Sequence, residues 1–172
     1  MTTANRDCLD HGGIEVRKRI IGSAQRKASS SDEIWLNLKD LAEVEITSEV
    51  IAYPIESALL PGNSQGWRAA CPGKQTIRLL FAHPQKLRRI SLKFLETDTE
   101  RTQEYVLRWS PDGGKSYREI VRQQWNFSSP SATCEEEYLH VDLPAVTVIE
   151  LSIIPDISGE DTFASMAHFR LA

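Results

Sequence analysis

At 172 residues the chain is long enough for one domain with a substantial core and some extra length at an end. Twenty Lys and Arg against 24 Asp and Glu leave a net charge of −4, which excludes a general electrostatic grip on nucleic acid. No apolar run approaches the ~20 residues of a membrane span, and a polar start with three scattered cysteines, Cys8, Cys71 and Cys134, fits a reduced, cytoplasmic protein.

Residues 1–33 differ from the rest. Ile14, Ile20, Ile21, Ala24 and Ala28 fall near helical spacing, broken by Gly22 and separated by Arg17, Lys18, Arg19, Arg26 and Lys27. They read as an N-terminal arm, either frayed or forming a short amphipathic helix that docks on the domain or a partner. Ser29-Ser30-Ser31 then leads into a domain spanning 34–172.

Ile34 to Leu41 fits a strand or a helical turn equally well. Beyond it the period is two. Val44, Ile46, Ser48 and Val50 oppose Glu43, Glu45, Thr47 and Glu49, a strand with one wet face. A long connection, 51–73, precedes strands centred on Leu79 and Leu92, with His83-Pro84-Gln85 expected as the turn between them. A hairpin over 101–120 follows. Tyr105, Leu107 and Trp109 share one face, and Ser110-Pro111-Asp112-Gly113-Gly114 makes the turn: proline pre-sets φ, aspartate bonds the backbone ahead, and glycine accepts left-handed φ. After a connection at 123–136 come Leu139, Val141 and Leu143, an expected break at Pro144, then Ile149, Leu151 and Ile153. A connection at 155–162 leads to Ala167, Phe169 and Leu171. About eight short strands without helical patterns between them predict an all-β, antiparallel sandwich.

If each strand reverses the last, the connections 51–73, 96–102, 123–136 and 155–162 share one end, and the short turns share the other. The long set contains Trp67, Arg68, Arg101, Trp125 and Asn126, so binding is expected there. Trp67 and Trp125 would stack on a ligand, while Arg68, Arg101, Gln103 and Asn126 would hydrogen-bond it. The competing reading makes Trp125 and Phe127 plugs of the sandwich's open end, puts Trp67 in core packing and pairs Arg68, Arg101 and Arg122 with Glu56, Glu100 or Glu104.

Other signals point to no chemistry. Asp156, Glu160 and Asp161 could hold calcium, but three carboxylates in a polar loop are more often merely solvated, so no metal is expected. His11, His83, His140 and His168 lack zinc-ligand spacing. Gly62-Asn63-Ser64-Gln65-Gly66 spells G-x-S-x-G, yet Pro61 before it and Pro72 after it deny the strand–helix context of a nucleophile elbow. Asn126-Phe127-Ser128 is a glycosylation sequon only by spelling.

Four features together resemble the galactose-binding-like, discoidin or coagulation-factor C-type sandwich, a jelly roll shared by many carbohydrate-binding modules. They are the pair Thr47-Ser48 before a long loop, Gly66-Trp67-Arg68 before the next strand, the run from Tyr105 through the Ser-x-Asp-Gly turn to Gly113, and the closing segment 149–172. The resemblance implies a non-catalytic module without a cofactor, binding carbohydrate or a similar polyhydroxyl compound through the loops at one end. A protein-interaction or scaffold module using those loops or the arm is the alternative.

Overall fold

The computed structural model describes residues 34–62, 65–159 and 161–172. The arm over 1–33 lies outside the described residues, as do Asn63, Ser64 and Glu160. Two one-turn helices, α1 (Leu38–Leu41) and α2 (Glu56–Leu59), accompany eight strands: β1 (Ala42–Ile46), β2 (Trp67–Pro72), β3 (Gln75–Leu95), β4 (Arg101–Ser110), β5 (Arg118–Phe127), β6 (Cys134–Ile154), β7 (Phe163–Met166) and β8 (His168–Leu171). The ambiguous stretch at 34–41 therefore ends as a helical turn. Among the described residues no helix is long and apolar enough to cross a membrane.

β3 and β6 determine the architecture. Each runs 21 residues without interruption, and they pair antiparallel from Gln75↔Ile153 to Leu95↔Cys134. Neither the turn expected at His83-Pro84-Gln85 nor the break expected at Pro144 ends a strand. An extended ribbon of that length would separate its ends by ~60 Å. Yet Phe94, near one end, stacks on Tyr105 at 5.3 Å, and Tyr105 pairs with Ile153 at the other end. The ribbon must fold back on itself. It does so where its register slips, between Leu80 and Arg89, with exposed Pro84 on one strand and Pro144 on the other. Proline fits there because the ladder asks no N–H of it.

Folding the ribbon makes both layers. The first is ordered β1, N-terminal half of β3, C-terminal half of β6, β4, β5. The second pairs the other halves of β6 and β3, with β8 on β3. Ile77, Leu79, Tyr105, Leu107, Ile149 and Leu151 from the first layer meet Ile90, Leu92, Phe94 and Phe169 from the second in one core. A bend carries the chain from one layer to the other much as a hairpin would, so the four long connections still gather at one end. Main-chain bonds confirm this: Ile157 donates to Thr102 at 2.9 Å, Glu96 to Thr133 at 2.9 Å, and Gly73 to Thr162 at 2.9 Å.

The expected hairpin is present, with Arg101↔Phe127 through Trp109↔Arg118 in register. In its turn, Ser110 Oγ accepts the amide of Gly114 at 2.9 Å, and Asp112 accepts both the amide and the hydroxyl of Ser116. Those donated bonds hold the Asp112 carboxyl far below the usual carboxylate range. Gly113 and Gly114 take φ of 72° and 85°.

Candidate functional site

The connection expected over 51–73 contains α2 and a strand that period-two reading overlooks. β2 pairs with β7 as a separate ribbon, Trp67 opposite Met166 and Arg68 opposite Ser165. Ser48 ties it to the main body, its hydroxyl accepting the amides of Ala70 and Cys71 at 3.1 Å and donating to Gln75 Oε1 at 2.8 Å. Gly66, at φ 68°, admits the ribbon; a Cβ there would stand 2.5 Å from the carbonyl oxygen of Met166.

The ribbon's pleat separates adjacent residues. Trp67, Ala69, Ala164 and Met166 point into the core, while Arg68, Phe163 and Ser165 face out. The outer side forms the floor of a cleft of about 820 Å³, which Tyr53, Thr97, Asp98 and Asp161 also line. The Arg68 guanidinium lies over the Tyr53 ring at 4.7 Å, and among the described residues no carboxylate pairs with it. Phe163 is 50 % exposed, a solvent-facing aromatic ring beside a planar cation and several hydroxyl and carboxylate oxygens.

Of the six residues expected to bind, the structure brings only Arg68 to this cleft as an open side chain. Trp67 borders it but is 1 % exposed, its ring shut in the core by strand alternation. Gln103 is wholly buried on the inward face of β4. Trp125 packs against the core from the inward face of β5. Asn126, its neighbour, points to the opposite face and accepts a bond from Thr102 Oγ1 at 2.7 Å. Both lie within a strand that runs on to Phe127, not in the connection expected at 123–136.

Arg101 turns inward as well, at 5 % exposure. Its Nε donates to Glu96 at 2.9 Å, its Nη1 to the Pro155 carbonyl at 2.6 Å, and its guanidinium lies over the Phe127 ring at 5.4 Å. Burial lowers its pKa, and the Glu96 charge works against that fall. Glu96 in turn accepts the amides of Asp98 and Thr99 through its other oxygen. Arg101 thus positions the wall of the cleft instead of facing it. Arg122 follows the competing reading, pairing with Glu104 at 2.9 Å and with Glu119 at 3.1 Å on the outer face of the hairpin.

Of the three carboxylates weighed for calcium, Glu160 lies outside the described residues. The Asp156 carboxylate accepts the amide and hydroxyl of Ser158, which lowers its pKa, and no metal-holding group of three occurs among the described residues. Sequence reasoning missed Phe163, Asp98 and Thr97. The alternation Phe163, Ala164, Ser165, Met166 was the available signal, but it is only four residues long.

No family model and no curated protein sequence matches the chain. Solved structures do match its fold. The family 32 carbohydrate-binding module of NanJ from C. perfringens, in complex with galactose, superposes with a TM-score of 0.56 at 18 % identity, over 76 % of this chain and 92 % of that one. A second module from Clostridium perfringens, in complex with GalNAc-β-1,3-galactose, gives 0.57 at 18 %, over 80 % and 99 %. The CBM32 of AlyQ, in complex with 4,5-unsaturated mannuronic acid, gives 0.56 at 16 %, over 77 % and 95 %. The bent ribbon, the two layers and these superpositions together assign the chain the galactose-binding-like β-sandwich fold of carbohydrate-binding modules.

Proposed function

We propose that the protein is a non-catalytic carbohydrate-binding module whose site is the cleft over the β2–β7 ribbon. The observation that carries the reading is the juxtaposition of an exposed Phe163 ring with Arg68 and the oxygens of Thr97, Asp98 and Asp161 in one open cleft. A sugar presents a C–H face and a rim of hydroxyls. An aromatic ring suits the first, and a planar guanidinium with neighbouring carboxylates suits the second. The sugars named with the structural neighbours support the ligand class.

The test is a glycan array followed by calorimetric titration of the hits. Phe163→Ala and Arg68→Ala should each weaken binding by about tenfold or more, the loss of one good contact, with thermal midpoints close to that of the wild type. Absence of any sugar binding at millimolar concentration, or unaltered affinity in both variants, would remove the proposal.

A further inference from the structure

The core beneath the cleft end contains polar groups that the packing leaves unsatisfied. Gln103 and Tyr105 lie on the inward face of β4, and Gln103 faces Trp125 across the β4–β5 ladder. From the other layer comes Glu135, the ladder partner of Phe94, which stacks on Tyr105. Glu135 is 2 % exposed, and Gln103 and Tyr105 are as deeply buried. Nine buried side-chain polar atoms lack a hydrogen-bond partner among the described residues, and six belong to these four: both Glu135 oxygens, both amide atoms of Gln103, the Tyr105 hydroxyl and the Trp125 indole nitrogen. Such concentration is unusual, because buried polar groups in folded proteins are nearly always satisfied by protein or by enclosed water.

Among the described residues no cation is paired with Glu135. Strand β3 presents Phe94; β4 presents Gln103, Tyr105 and, further along, Arg101, whose guanidinium is committed to Glu96 and Pro155; β5 presents Trp125 and Gln123. Its own strand adds Glu137, a like charge. Lys93, Glu136 and His168 pair on the opposite face of the same ladder. A bare cation between the layers does not suit the cluster either, because the Trp125 N–H and the Gln103 amide donors would point at it.

We propose that Glu135 is a proton-binding site of the folded domain: a neutral carboxylic acid joined through enclosed water to Gln103, Tyr105 and Trp125, whose ionisation loosens the end of the sandwich that carries the cleft. Water has the two donors and two acceptors needed to bridge a protonated carboxyl, an amide, a phenol and an indole. The coupling is structural. Glu135 is the second residue of β6, directly after Cys134, the ladder partner of Leu95, and the preceding residue, Thr133, accepts the amide of Glu96 on the cleft wall. Burial, and after it the Glu137 charge, raises the Glu135 pKa to about 7. This inference is independent of the sugar reading.

The test is to follow the Glu135 side-chain carboxyl carbon by NMR in the full chain from about pH 5 to about pH 9. A midpoint near 7 is expected, with the signal absent in Glu135→Gln. Above that midpoint, amide exchange at Glu96 should quicken in the wild type about fivefold more than in Glu135→Gln. A midpoint in the ordinary carboxylate range, or identical exchange in both proteins, overturns the proposal. If Glu135→Gln fails to fold, the wild-type titration alone decides.

Discussion

Trp67 and Arg68 are adjacent in the chain and do opposite work. The pleat sends the indole into the core and the guanidinium to the cleft floor. Trp67→Ala should therefore cost about 3–5 kcal/mol, the usual price of deleting a large buried ring, measured by urea denaturation. Arg68→Ala should leave stability within about 0.5 kcal/mol, as surface substitutions away from special features do. The triplet Gly66-Trp67-Arg68 already stands out in the sequence, and alternation predicts that one aromatic and one charged neighbour will part company. Which way each points was not legible, because the partner that fixes the register, β7, lies about a hundred residues downstream. Gln103 shows the opposite failure. Its position among Arg101, Tyr105 and Leu107 puts it on the core face of a strand, yet a glutamine in a candidate binding region invites a ligand role.

At the scale of elements, the cleft depends on two joints. The first is Gly66. Its positive φ and the 2.5 Å approach of the Met166 carbonyl leave no place for a side chain, so Gly66→Ala should destabilise the domain by about 1–3 kcal/mol, the cost of a non-glycine residue forced into strained backbone. It should also weaken any ligand held on the β2–β7 ribbon, a paired loss visible by comparing thermal melts with calorimetry. The second joint is the buried pair of Arg101 with Glu96, which draws the connections at 96–100 and 155–162 together. Arg101→Ala would strand the Glu96 carboxylate, which is largely buried, and should cost about 3–5 kcal/mol. Glu96 then stops fixing the amides of Asp98 and Thr99, so the cleft wall loses order along with the stability. Arg101 does lie at the end where the long connections gather, but buried and bonded to Glu96 and the Pro155 carbonyl instead of open to a ligand. Its pairing with Glu96, five residues away, was not among the alternatives the sequence suggested, since an arginine's partner is set by which connections converge.

For the whole molecule, the Glu135 site makes stability depend on pH. The sign follows from proton counting. Glu135 has a folded-state pKa near 7 and an ordinary value of 4.5, so between those pH values the folded state holds the extra proton. Stability therefore falls as pH rises through that window and levels off above it, by ~3 kcal/mol at most. Denaturation at pH 5 and pH 8 should show the wild type losing stability that Glu135→Gln retains. The sequence by itself determined the strand-rich character, the hairpin and its turn, and the gathering of the long connections at one end, because period-two alternation and turn chemistry act over a few residues. Only the tertiary structure decided that β3 and β6 are single strands folded back across both layers. It also decided that, of the expected site residues, Trp67, Gln103 and Arg101 are buried and Trp125 packs against the core, and that the open cleft is made by Arg68, Phe163 and Asp98. Those outcomes rest on pairings between distant segments, where burial is settled by what lies opposite and not by the residue's own chemistry.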